Sequence, residues 1–167
     1  MNEAEIQPDS GSAILLTPEG FQSLKVELDN LTLVKRPEIA GRIRESQQHG
    51  EFSEDNSELD EVKVEQAMVE SRIAELKMVL GNAQVLDRDR IPIDHVGIGS
   101  KVSLHDDEFA DSFDVRLVTS IEANPDKDLL SSESPMGSAL LGHKKGDAVQ
   151  FDAPDGKKTI RITDIKR

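Results

Sequence analysis

From Phe21 the apolar positions run Phe21, Leu24, Leu28 and Leu31, spaced 3, 4 and 3, which is the seam of an amphipathic helix that packs along a partner. Thr17-Pro18-Glu19 supplies its start: threonine caps, proline tolerates the first helical position, and an acid suits the positive end of the helix dipole. The seam then falters. Leu31 and the next seam residue, Ile39, are eight positions apart rather than seven, before Ile43 resumes the pattern. Pro37 is expected to bend or restart the helix there. Further along, Leu59, Val62, Gln66, Val69, Ile73, Leu76 and Leu80 keep a 3-4 alternation with one polar member. Two such seams joined by a short polar turn predict an antiparallel helical hairpin, with arms of about 30 residues reaching roughly 45 Å.

After Gly81 the period drops to two. Val96, Ile98, Val102 and Leu104, then Phe113, Val115, Leu117 and Ile121, then Val149 with Phe151 and Ile160 with Ile162 predict short strands. Ala153-Pro154-Asp155-Gly156 has the chemistry of a hairpin turn. Ser134 and Pro135 are placed to cap and open a short helix that ends at Gly142. The expected fold class is α+β with more than one domain: a tail over residues 1–13, a coiled-coil hairpin over 14–88 and a small α+β domain over 89–167.

Composition fits two modest units. The chain has 167 residues, 36% hydrophobic and 32% charged, with no Tyr or Trp and five Phe, which favours helix surface over a thick core. A net charge of -13 excludes a protein that coats DNA or anionic membrane with its whole surface. The absence of cysteine excludes disulfides, thiolate metal sites and thiol nucleophiles. The acidic, polar start has neither a basic n-region nor an apolar core, so a cytoplasmic location without a membrane span is expected.

The densest chemistry lies between the two seams, in His49 to Glu61, HGEFSEDNSELDE, where six carboxylates fall within the eleven residues from Glu51. Ser57-Glu58-Leu59-Asp60 fits a capping box, so Glu58, Asp60 and Glu61 belong to the start of the second helix. Glu51, Glu54 and Asp55 precede that turn. Without His or Cys beside them they form at best a weak hard-cation site, suited to Mg²⁺ whose coordination is completed by phosphate or by another protein. A solvated acidic loop is the plain alternative. Behind this tip, Lys35, Arg36, Arg42 and Arg44 form a basic cluster, which is either a solvated face with a Glu38–Arg42 pair or a local nucleic-acid phosphate contact. The four histidines are scattered, and neither a nucleophile elbow nor a phosphate loop is present, so no self-contained active site is read.

Four segments in order, LTPEGFQSLKVELDNL, KRPEIAGRIRES, GNAQVLD and SPMGSALLGHKKGDAV, resemble the bacterial transcript-cleavage factors of the GreA/GreB family over about residues 14 to 167. That resemblance implies an N-terminal coiled-coil hairpin and an FK506-binding-protein-like (FKBP-like) domain that docks on RNA polymerase. It also implies a monomer that is not itself an enzyme and holds no tightly bound cofactor. Its tip would enter the secondary channel of a backtracked elongation complex and help bind a shared Mg²⁺ at the nascent RNA 3′ end. The polymerase would then cleave its own transcript. Ser134, Pro135 and Met136 would face the polymerase, while Glu51 and Glu54 would share the metal.

The tip departs from the family's pattern, which runs Gly-Asp, an apolar residue, Ser-Glu-Asn, Ala or Ser, then Glu-Tyr. Here Gly50-Glu51-Phe52-Ser53-Glu54-Asp55-Asn56-Ser57-Glu58-Leu59 has one residue more, Glu for the first acid and Leu for Tyr. The second acid is Glu54 counted from Gly50 and Asp55 counted from Asn56. Glutamate extends the reach by about 1.5 Å over aspartate, and a misplacement of about 1 Å costs roughly a hundredfold in rate. A channel-binding inhibitor is therefore the nearest competing expectation. A coiled-coil adaptor or chaperone, and a prolyl isomerase resting on fold alone, are the others.

Overall fold

A computed structural model describes residues 13–49 and 57–167, and separates the chain into two compact units, residues 21–83 and residues 84–167 joined by the N-terminal residues up to Gly20.

The helical unit is built on the two predicted seams. Helix α1 (Pro18–Asn30) passes through a π-helical turn (Leu31–Lys35) directly into α2 (Arg36–His49), and α3 (Ser57–Gly81) packs against that run as the second arm of a helical hairpin. Leu24, Ile39, Val62, Ile73, Leu76 and Val79 are buried between the helices, and Gln66 is exposed as a polar seam member should be. The eight-residue step from Leu31 to Ile39 is the π turn. One extra residue per turn carries both side chains to the seam, with the Arg36 N–H donating to the Leu31 carbonyl five residues back. The restart expected at Pro37 takes the form of this π turn, after which α-helical geometry resumes at Arg36. A widened turn just ahead of the proline eases the clash its ring would make in an unbroken α-helix.

The second unit is a curled five-stranded sheet in the order β5-β4-β3-β7-β6, made of β3 (Lys101–Asp106), β4 (Asp111–Val118), β5 (Leu129–Ser131), β6 (Ala148–Ala153) and β7 (Gly156–Lys166). All pairs are antiparallel except β4 with β5. Helix α4 (Pro135–Leu140) covers one face, where Leu140 joins Val102, Leu104, Leu117, Val149, Ile160 and Ile162 in the core. The β6–β7 turn falls on Pro154-Asp155, followed by Gly156 at φ 126°, as its sequence predicts. Val96, Ile98 and Ile121 lie outside the strands. Val96 exchanges backbone hydrogen bonds with the Gly142-His143 loop, and Ile121 sits in a 3-10 turn. A short pair of strands, β1 (Ile14–Leu16) and β2 (Ala83–Val85), brings the N-terminal residues to the sheet unit, where the Leu86 N–H donates to the Leu16 carbonyl at 2.8 Å. Among the described residues no helix is long and apolar enough to cross a membrane.

Candidate functional site

The acidic segment begins where α2 ends at His49 and runs into the start of α3, which begins at Ser57. Glu51, Glu54 and Asp55 lie outside the described residues. Glu58 and Asp60 occupy the first turn of α3, where the helix dipole favours acids. Among the described residues no group of three or more His, Asp or Glu side chains is arranged to hold a metal.

The basic cluster is largely neutralised across the helix pair. Arg36 donates from Nε and Nη2 to the two carboxylate oxygens of Glu70, each at 2.7 Å, and Arg42 donates to Glu65 at 2.5 Å. Lys35 pairs with Glu38 at 3.5 Å. The expected Glu38–Arg42 pair is thus replaced by two other partnerships, because α3 presents acids at the right height for the arginine forks. Hydrogen bonding from Arg36 holds the Glu70 carboxyl below the usual glutamate range, against a smaller opposing effect of desolvation. Nearer the sheet unit in sequence, Arg72 grips Glu27 at 2.7 and 3.0 Å and Glu75 at 2.8 Å, and the Glu27 bond does most to raise its pKa. Arg44 is exposed and donates to the Ala40 carbonyl at 3.4 Å. Of the four cluster residues, Arg44 is the one for which the described structure gives no acidic partner.

Ser134, Pro135 and Met136 open α4. The Ser134 hydroxyl donates to the Ser131 carbonyl at 2.7 Å and accepts the Gly137 N–H at 3.0 Å. Met136 packs on the core of its own unit, whereas Pro135 is exposed. A β-carbon on Gly137 would stand 1.9 Å from the Ser131 carbonyl oxygen, so the first turn of α4 tolerates only glycine at this position. The segment is therefore a rigid edge that offers Pro135 outward. On the sheet, an open groove of about 400 Å³ carries Asp114, Asp128 and a single aromatic, Phe113. Asp114 there is already engaged by Ser103 at 2.7 Å and by Lys101 at 3.4 Å.

The family model described as "Transcription elongation factor, N-terminal" matches residues 14–85, and that described as "Transcription elongation factor, GreA/GreB, C-term" matches residues 91–167. The chain belongs to the GreA/GreB family. Transcription elongation factor GreA of Acetivibrio thermocellus is 46% identical over 154 residues, covering 92% of this chain and 96% of that protein. Transcription elongation factor GreA of Thermoanaerobacter pseudethanolicus is 42% identical, with coverages of 92% and 98%. The crystal structure of GreA factor homolog 1 (Gfh1) of Thermus thermophilus aligns at 32% identity over 93% of this chain and 99% of that one, with a TM-score of 0.43.

In this GreA/GreB protein one polar constellation escaped the sequence pattern altogether. Glu122, 8% exposed, accepts the Thr17 backbone N–H at 2.9 Å through one carboxylate oxygen and the Thr17 hydroxyl at 2.5 Å through the other. The only sequence sign was Thr17 as a helix cap, which the 3.0 Å bond from the Gly20 N–H to its Oγ1 bears out. Nothing near Glu122 in sequence marks it as buried.

Proposed function

We propose that this protein binds RNA polymerase and stimulates the polymerase's own cleavage of backtracked nascent RNA, and is not an enzyme by itself. The observation that carries this is end-to-end similarity to proteins named transcription elongation factor GreA, with 92% of the chain aligned in order. The helical hairpin acts as an antiparallel coiled coil that enters the secondary channel, and the curled sheet with α4 acts as an FKBP-like docking domain. The docking edge is Ser134-Pro135-Met136, with Pro135 as its exposed member.

The tip supplies Glu51 with Glu54 or Asp55, all hard oxygen donors and too few to hold Mg²⁺ unaided. That donor set fits a metal whose remaining ligands come from polymerase carboxylates and an RNA phosphate at the 3′ end. Mg²⁺, when bound, offsets charge on the attacking and leaving oxygens of an in-line displacement. The chain's own acids orient the attacking water and take its proton. The stiff hairpin brings them to the phosphate, and the sheet unit provides affinity. The protein acts as a monomer.

The test is a stalled, backtracked elongation complex supplied with Mg²⁺ and this protein. Release of a short 3′ RNA fragment is expected, and Glu51→Ala, with either Glu54→Ala or Asp55→Ala, should cut it on the order of a hundredfold while binding is kept. Binding without any release would favour the channel-blocking alternative that the lengthened tip raises. Failure to bind polymerase would leave an adaptor or chaperone.

A further inference from the structure

The chain's five aromatic residues are all phenylalanine; Phe113 and Phe151 pack against the core of the sheet unit, whereas Phe109 is 63% exposed. It sits in the turn between β3 and β4, which Asp106 and Asp111 close as directly opposed partners. Like charges facing each other oppose strand pairing on their own. A lone apolar residue on a surface needs no explanation by itself, but this one is held in place by its surroundings.

The Asp106 carboxylate accepts the Glu108 N–H at 2.9 Å and the Phe109 N–H at 3.3 Å, so the loop is braced from within. Ala110 follows at φ 52°, in the left-handed region that glycine adopts without strain and alanine does not. Against the ring, the Lys158 ammonium stands 5.5 Å from the centroid as a cation–π contact, and Asp155 anchors that lysine at 3.2 Å. A strained backbone residue and a tethered lysine thus hold an aromatic ring out into solvent. Strain of this kind collects at segments that clamp a ligand or partner.

The rim of the ring is acidic. Asp106, Asp107, Glu108 and Asp111 place four carboxylates within six residues and no cation among them. Arg161 engages Asp107 at 2.9 Å, while Glu108 and Asp111 are exposed with no cation beside them among the described residues. Such a rim repels nucleic-acid phosphate and anionic membrane. It equally disfavours a second copy of a chain whose net charge is -13. What complements it is a protein surface with an apolar slot for one ring and lysines or arginines around it, where the buried aromatic supplies affinity and the charges speed encounter.

The turn is separate from the edge at α4. β5 runs parallel to β4 and ends opposite Val118, so the chain leaves the sheet for Ser134 and Pro135 at the end away from Phe109. The length of β3 puts about 20 Å between those two ends.

We propose that the β3–β4 turn is a second contact of the sheet unit with RNA polymerase, in which Phe109 enters an apolar slot rimmed by basic side chains that meet Glu108 and Asp111. This rests on the polymerase-binding reading above and adds to it an anchor at the other end of the sheet from Pro135.

The experiment follows association and dissociation of the full-length protein with RNA polymerase at low and moderate salt, with the folded fraction checked by circular dichroism. Phe109→Ala should weaken binding about tenfold, mainly through faster dissociation, with the folded fraction unchanged. Glu108→Lys should slow association several-fold at low salt, and the gap to wild type should close as salt rises. Wild-type affinity in Phe109→Ala, or a loss only in proportion to unfolded protein, would overturn the proposal and leave the polymerase-binding reading standing. Self-association of the wild type that Phe109→Ala abolishes would assign the turn to a second copy and overturn it as well. If the wild-type protein does not bind polymerase at all, that reading fails and this contact with it.

Discussion

Arg36 in α2 and Glu70 in α3 meet as a two-point fork, Nε to one carboxylate oxygen and Nη2 to the other, both at 2.7 Å. The pair is solvent-exposed and ties the two arms of the hairpin just below the π turn. Because Arg36 holds the folded pKa of Glu70 below its unfolded value, the pair's contribution is present above the ordinary glutamate range and disappears as pH falls through the depressed folded value. Glu70→Gln should therefore lower the thermal midpoint slightly at pH 7, with the gap to wild type closing in acid. Melting curves from neutral to acidic pH at low salt test this, and a gap that stays constant would contradict it. Added salt should shrink the neutral-pH gap as well.

Thr32, within the π turn, has a buried hydroxyl oxygen with no hydrogen-bond partner among the described residues. Valine has nearly the same shape and removes the unsatisfied group. Thr32→Val should raise stability by about 1 kcal/mol, read from urea denaturation, since a buried polar atom left unpaired costs about 1–3 kcal/mol. Destabilisation by the same amount would mean the hydroxyl is satisfied in solution.

The π turn and Pro37 should be separable. Deleting the exposed Leu33 shortens the Leu31-to-Ile39 step from eight residues to seven and converts the turn to α-helix. With Pro37 kept, the proline then sits in an ordinary helix interior and the deletion should cost about 3 kcal/mol. In a Pro37→Ala background the same deletion should be close to neutral. Equal losses in both backgrounds would show that the turn does not serve the proline.

At α4, stability and docking should come apart. Gly137→Ala drives a β-carbon into the Ser131 carbonyl and should cost about 1–3 kcal/mol, with the Ser134 cap lost. Pro135→Ala, at an exposed position, should leave the melting temperature nearly unchanged and weaken polymerase binding several-fold. Unaltered binding by Pro135→Ala would remove this edge from the docking surface.

Much of the helical unit was legible because a heptad seam is local. Leu24, Ile39, Val62, Ile73 and Leu76 are buried where the 3-4 spacing puts them, and Thr17, Pro18 and Ser57 mark helix starts. The irregular step after Leu31 was visible too, but not its form, since a spacing of eight does not distinguish a kink from a π turn. Strand positions were legible where the alternation was sustained, in Val102 with Leu104 and Ile160 with Ile162. They failed at Val96 and Ile98: Val96 enters the sheet's core from a loop that is bonded to Gly142 and His143, and Ile98 is only half-buried, so apolar alternation there does not mark a strand. The partnerships that decide the candidate site were not legible. Arg42 reads as the i,i+4 partner of Glu38, yet it bonds Glu65, because the charges that neutralise a helix face belong to the helix packed beside it.

The sequence by itself determined the class of elements, their order, the acid-rich tip and the family, because periodicity, capping and turn chemistry act over a few residues. Only the tertiary structure decided which of those charges remain available and where the first helix is rooted. Glu122 and Thr17 are 105 positions apart, and no local pattern encodes a carboxylate whose burial is made possible by a helix end, a hydroxyl and a glycine brought together from afar.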